Sequence, residues 1–406
     1  MQRGLAAPDP TSTLIQKMTS ENQTINTSQV YQVASPAKIA YLNHLKVLLT
    51  VLVVLHHAFI TYGAPGGWYY QQKTDHMAAL FPMAIFVSTN QSFFMGFFFF
   101  LSALFVEPSY KKKGPARFLT DRLKRLGIPL LFYSFVLSPV LNYAVEHYGY
   151  GRHHTFAEYM SGYRHWIDFG VLWFVAALLI FNLLFLLLKN IPFLNFNSKV
   201  GLPSNRKLLF AGLSLGVLTF FTRLIFHVGW SLFPLGFQLG HFPQYIVLFI
   251  TGLIASKNQW LSQLQFEQGK RMAFMARIMV LIVLPSLFIA SLAAHVPSDN
   301  FSGGWNIISL CYSVWEQLTC VMIITALLGI AKARWNSPSI FLSRLSQNAF
   351  GVYIFHPVVL ISLSLLIHSW PVDPIIKLII VGPSAVLLSF LLVFAIRKIP
   401  FVNSVI

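Results

Sequence analysis

The chain has 406 residues, of which 56% are hydrophobic and only 10% charged, yet it carries a net charge of +17. Such apolarity excludes an ordinary soluble domain of this length, and continuous rather than alternating apolar runs exclude a membrane β-barrel. The positive balance is explained by lysines and arginines gathered in cytoplasmic loops, so no nucleic acid partner is expected, and the expected fold class is an all-α polytopic transmembrane helical bundle in a lipid bilayer.

Residues 1–40 are polar and rich in Ser, Thr, Gln and Asn. They read as a disordered cytoplasmic tail without a cleavable signal peptide. Residues 41–400 form the membrane domain, and 401–406 are a short cytoplasmic tail. Apolar runs long enough to cross a bilayer predict about ten spans, near 42–62, 83–106, 126–145, 169–189, 207–227, 239–256, 272–294, 305–331, 347–369 and 374–396. Every second connection is basic. The first holds Lys111, Lys112, Lys113, Arg117, Arg122, Lys124 and Arg125; later ones hold Lys199, Arg206, Lys207, Lys257, Lys270, Arg271, Lys332, Arg334 and Arg344. The alternate side carries only Lys73, Arg152, Arg164 and Lys377. The positive-inside rule then places both termini in the cytosol. Cys311 and Cys320 lie in one apolar run, which speaks against a mutual disulfide or a metal site.

The informative residues are ionisable groups inside spans, which are costly in lipid and usually have a task. In the first span, Lys46 and His57 are eleven residues apart. At 100° per residue they fall within about 20° of each other, separated by roughly 16 Å along the axis. Lys46, Thr50, Val53 and His57 therefore share a stripe, whereas His56 points about 80° away from the lysine. Lys46 can also be read as an interfacial anchor that snorkels to the surface. Further along, Trp173, Arg223 and His241 sit at heights similar to His57. Trp173 alone reads as an aromatic-belt residue, and Arg223 as a snorkelling cation. Glu316 is the only acid well inside a span and needs a partner, with His57 and Arg223 both candidates. His356, followed by Pro357, is either a site residue or a satisfied histidine at a kink. Arg122 and Arg125, three apart, would share a helix face and suit a phosphate.

These segments together resemble the acyltransferase-3 family of multi-pass membrane O-acyltransferases. "LKVLLTVLVVLHH" resembles its first helix, and "FFMGFFFFLSALF" its second. "FLTDRLKRLGIPLLF" is similar to its Arg-x-x-Arg segment, "VLWFVAALLIF" to its Leu-Trp-Phe segment, and "LSQNAFGVYIFHPVV" to its Gly-x-Tyr-x-x-His-Pro helix. "FQLGHFPQYIVLFITGLIAS" and the Pro-rich third span lean toward the glucan biosynthesis protein C branch, which succinylates periplasmic glucans. Lys46 stands where arginine is commoner, Ala103 where glycine is usual, and Val171 where histidine often precedes Leu-Trp-Phe.

The resemblance implies an inner-membrane enzyme that moves an acyl group, acetyl or succinyl, from cytosolic acyl-CoA to a hydroxyl of an extracytoplasmic carbohydrate or glycan. It implies no bound cofactor and no metal; acyl-CoA is a donor substrate. Arg122 and Arg125, with Lys46, would hold CoA phosphates, and the pantetheine arm would follow the Lys46–His57 stripe. His57 would be the general base or a transient acyl carrier, and Glu316 its orienting acid. Trp173, Arg223 and His356 would shape the substrate pocket, Arg223 suiting a succinyl carboxylate. The rival readings are a small-molecule transporter or flippase, for which intramembrane charges also serve, and a haem or metal protein using His56, His57, His241 and His356.

Overall fold

The computed structural model describes residues 40–163, 167–189 and 200–406. The expected tail, and the loop cations Arg164 and Lys199, lie outside the described residues. Ten long helices follow one another: α1 Ala40–Thr61, α2 Met77–Ala103, α3 Pro115–Gly149, α4 Gly170–Leu188, α5 Asn205–Arg223, α6 Leu239–Lys257, α7 Phe266–Ala293, α8 Ile307–Arg334, α9 Ile340–Leu366 and α10 Pro374–Ile396. No strand occurs among the described residues; a lone bridge joins Leu232 and Phe237. The fold is an all-α polytopic bundle.

Nine of the ten, counting α2 with its continuation Val106–Lys113, are long and apolar enough to cross a membrane. The exception is α5, expected as the span 207–227. Arg206 and Lys207 open it and Arg223 closes it, so its apolar stretch is short. The second helix starts earlier than expected, because Pro82 is carried inside α2 rather than marking its edge.

Prolines shape the third and seventh helices in the same way. Widened π-turns at Leu123–Gly127, Tyr133–Leu137 and Met279–Val283 precede Pro129, Pro139 and Pro285. A proline lacks the N–H for the usual bond and its ring crowds the carbonyl four residues back; a π-turn relieves that crowding without ending the helix.

The centre of the bundle is α2, whose Phe93, Phe94, Phe97, Phe99 and Phe100 are all buried. It packs along α6, α8 and α1; α5 and α7 lie on α8; α9 lies between α10 and α1. The α2–α6 contact depends on Gly252, where a Cβ would stand 2.5 Å from the Phe100 carbonyl oxygen. Small residues at such crossings let backbones approach where lipid supplies no hydrophobic drive between helices.

The basic connections converge on one end of the bundle. Lys189 donates to the Tyr110 hydroxyl, Lys332 Nζ to the carbonyls of Ser262 and Leu264 at 2.7 and 2.8 Å, and Arg397 to Asn348 Oδ1 at 3.0 Å. Lys46 joins this basic end, its Nζ 5.1 Å from the centre of the Phe105 ring.

Candidate active site

The stripe on α1 is present but not continuous as open surface. Lys46 and His57 are half-buried, while Thr50 and Val53 between them are 2% and 1% exposed. The expected open path between lysine and histidine is packed in this conformation.

The two histidines differ, as helical phase requires. His56 is buried with its ring 4.9 Å from Phe94 on α2. His57 lies in a ring stack: Trp68, on the loop after α1, at 4.0 Å and 16°, and His356 of α9 at 5.2 Å and 7°. His356 Nδ1 is 2.9 Å from the Tyr353 carbonyl and 3.2 Å from that of Val352. A carbonyl only accepts, which assigns the proton to Nδ1 and leaves a lone pair on Nε2. That Nε2, His57 Nδ1, His56 Nδ1 and Trp68 Nε1 are all buried without a protein partner. Each such atom left unpaired costs about 1–3 kcal/mol, so four in one cluster call for an explanation beyond packing. Pro357 does not break α9, which runs on to Leu366.

Glu316 is not part of this stack. It lies on α8 at 1% exposure, and its Oε2 is 2.5 Å from Nη2 of Arg223, which is 0% exposed. Its Oε1 is 3.3 Å from His241 Nδ1, itself 3.0 Å from Arg223 Nη2. The guanidinium also donates to the Gly240 carbonyl at 3.3 Å and to Ser313 Oγ at 3.4 Å. Of the two partners open to Glu316, the fold brings it to Arg223. No ion pair to His57 occurs among the described residues, so the expected direct orientation of His57 by Glu316 is replaced by a buried ion pair some distance along the bundle. Arg223 neither snorkels nor offers a free cation for a succinyl carboxylate; its donors face protein.

Aromatic rings join the two clusters. His241 stacks on Tyr245 at 6.2 Å, and Tyr245 on Trp173 at 5.5 Å. The Tyr353 hydroxyl donates to the Val171 carbonyl, two residues before Trp173, and the Tyr353 ring lies 6.1 Å from His356. Trp173, Arg223, His241, Glu316, His57 and His356 thus belong to one polar and aromatic belt drawn from α1, α4, α5, α6, α8 and α9.

The family model of the acyltransferase domain Acyl_transf_3 matches residues 39–394, nearly the whole chain. The chain belongs to the acyltransferase-3 family. No curated protein and no solved structure matches it.

In this acyltransferase-3 domain, Arg122 is half-buried with its guanidinium 4.9 Å from the Phe118 ring, while Arg125 is exposed on the first π-turn of α3. Both are remote in sequence from the belt and lie with the basic connections. The sequence reading missed Trp68, which covers His57, and Tyr353, which ties α9 to α4. It also missed the anchorage of the Trp68 loop. Tyr70 Oη is 2.7 Å from His368 Nδ1, and Lys377 Nζ donates to Gln72 Oε1 at 3.1 Å and to the His368 carbonyl at 2.8 Å. Lys377, expected at the outer end of the last span, is 0% exposed. The run "GGWYYQQ" carries the only available signal, and any aromatic belt would look the same.

Proposed function

We propose that this acyltransferase uses acyl-CoA as donor and a hydroxyl of a carbohydrate or glycan as acceptor, with His57 as the base. The observation that carries the proposal is the cluster of three near-parallel rings, His57 with Trp68 at 4.0 Å and His356 at 5.2 Å and those two 6.0 Å from each other, with unpaired nitrogens on both imidazoles. A neutral imidazole nitrogen takes the proton of the acceptor O–H. The oxygen attacks the thioester carbonyl, the C–S bond breaks, and the imidazolium returns the proton to the departing CoA thiolate. A route through an acyl-imidazole uses the same groups and divides the step in two. His356, with Nδ1–H held by the backbone, offers the lone pair on Nε2 to a neighbouring hydroxyl of the acceptor and so orients the sugar. Trp68 and Trp173 bound the acyl or sugar pocket. Arg223 and Glu316 act at one remove, fixing His241 and through it the Tyr245–Trp173 stack.

The donor end is supported by Lys46, Arg122 and Arg125, cations at the basic end without a carboxylate partner among the described residues. Phosphate oxygens suit such groups. With the basic end in the cytosol, as the positive-inside rule requires, the histidine end faces the opposite side of the inner membrane. Acetyl and succinyl donors both fit this scheme, and the glucan-modifying branch remains the proposed subfamily.

The test is turnover of acetyl-CoA and succinyl-CoA by purified protein, with wild type, His57→Gln and Lys46→Ala. His57→Gln is expected to lower kcat at least 10²-fold, the scale of general-base catalysis, and Lys46→Ala to raise the donor KM. Equal turnover in wild type and His57→Gln would overturn the assignment.

A further inference from the structure

The end of α3 and the chain after it take no part in the chemistry above, yet their rings gather round a single tyrosine. Tyr143 has His147 at 5.4 Å and 27°, Phe156 at 5.2 Å and 78°, and Tyr159 at 5.6 Å. His154 lies parallel to Tyr159 at 5.7 Å and 10°. Tyr143, His147, His153, His154, Phe156 and Glu158 line an open hollow of about 400 Å³, within the range of small-ligand pockets. Phe156 and His153 are exposed along it.

The polar groups of the hollow are incompletely used. His147 Nδ1 is buried without a partner, and His154 Nε2 reaches only Glu146 Oε2 at 3.6 Å. Glu158 caps the short helix Phe156–Gly162 through one oxygen: its Oε2 accepts from the Thr155 N–H at 2.7 Å and from the Thr155 hydroxyl at 2.9 Å. An interfacial aromatic belt would set its rings singly toward lipid. Here they enclose a concave surface with imidazoles and a carboxylate between them. Among the described residues no His, Cys, Asp or Glu cluster is arranged to hold a metal ion.

The end of α3, which borders the hollow, also packs against the loop that carries Trp68. Tyr150 lies 6.0 Å from the Tyr70 ring, and Gly149 is so close that a Cβ there would stand 3.0 Å from Tyr70 Cδ2. Tyr69 Oη is 2.9 Å from Tyr133 Oη, and its ring meets Trp68 edge-on at 5.1 Å. Trp68 is the ring that covers His57. The hollow and the base are thus linked through the end of α3 and the Trp68 loop.

We propose that the Tyr143 hollow is a docking subsite for a gluco-configured pyranose of the acceptor chain, a sugar other than the one acylated at His57. This rests on the acyltransfer reading of the His57 site. A pyranose with equatorial hydroxyls presents axial C–H bonds on both faces, which lie on aromatic rings as other apolar groups do. Its hydroxyls, each donor and acceptor, meet the free imidazole nitrogens and the second oxygen of Glu158.

Full-length protein in micelles is titrated with cellohexaose, binding being read by saturation-transfer NMR and calorimetry. Wild type binds, and Phe156→Ala and Tyr143→Ala each weaken binding at least tenfold. Phe156 is exposed, so its truncation leaves the fold intact, and a monodisperse size-exclusion peak checks Tyr143→Ala. His57→Gln retains cellohexaose binding and loses donor turnover. Absence of binding to wild type, or binding untouched by Phe156→Ala and Tyr143→Ala, overturns the subsite. Full donor turnover in His57→Gln, with binding lost in the Tyr143 and Phe156 variants, instead overturns His57 as the base and leaves the sugar site standing.

Discussion

Replacing one member of the Arg223–Glu316 pair separates a structural role from a chemical one. Both side chains are essentially without solvent access, at 0% and 1% exposure, and their closest approach is 2.5 Å. Glu316→Gln keeps the shape and one acceptor oxygen but leaves a buried, uncompensated guanidinium. Breaking a buried pair in this way costs about 3–5 kcal/mol, which raises the unfolded fraction by roughly two to three and a half orders of magnitude. Arg223→Met strands the carboxylate and is expected to cost a similar amount. The double variant Arg223→Met, Glu316→Leu removes both charges together and is expected to recover stability to within about 1–2 kcal/mol of wild type, because no desolvated charge remains. The assay is the temperature at which detergent-solubilised protein loses its monodisperse size-exclusion peak, followed by donor turnover of the surviving protein. If Glu316→Gln melts with wild type while turnover collapses, the pair is not holding the fold and Glu316 acts in the reaction itself. A double variant as unstable as either single one would refute the charge argument in the same way.

Two further outcomes follow from the loops. Lys377→Met removes the buried ammonium that holds Gln72 and the His368 carbonyl; with the Trp68 loop released, kcat is expected to fall about tenfold with donor KM unchanged, and a joint fall in thermal stability without a kcat effect would count against it. The Thr155 N–H and hydroxyl hold the Glu158 carboxyl below the usual carboxylate range. A depressed folded-state value means that the cap contributes above the unfolded value and is lost only as pH falls through the folded one. An NMR titration of Glu158 should show this depression, Thr155→Val should move the midpoint up, and an ordinary midpoint in wild type would contradict it.

Much of the belt was legible because it depends on one helix at a time. His56 and His57 separate by phase along α1, an unbroken helix from Ala40 to Thr61, and 100° per residue suffices. The partner of Glu316 was not legible in that way. Whether α8 meets α5 or α1 at that height is decided by packing, and Arg223 reaches Glu316 because α5 lies along α8. The reading of Arg223 as a free cation failed for the same reason: span depth fixes its height but not the direction it faces. Trp68 was missed because a loop has no period from which a direction could be read. The short apolar stretch of α5 follows from three cations visible in the sequence, which run length alone underweights.

The packed middle of the α1 stripe bears on how a donor held by the basic end reaches His57. Lys46 and His57 share a face, but Thr50 folds its hydroxyl back to the Lys46 carbonyl at 2.8 Å, and Val53 sits in the main apolar core. In the proposed scheme, a pantetheine arm along this face would have to displace what covers Val53. α1 is fastened near that level by Asn90 of α2, whose Nδ2 donates to the Leu52 carbonyl at 3.1 Å, and farther along by Tyr62, whose hydroxyl donates to Ser364 Oγ of α9 at 3.1 Å. Each bond is worth only about 1 kcal/mol net, whereas the aromatic core of α2 behind them is extensive. α1 itself carries Leu45, Leu49 and Val53 into the same core as Phe93–Phe100, so opening the stripe is opposed by apolar packing as well as by these polar bonds. Lys46 and His57 lie on one unbroken helix, roughly 16 Å apart along its axis, so in the proposed scheme the stripe would set a fixed span for the donor.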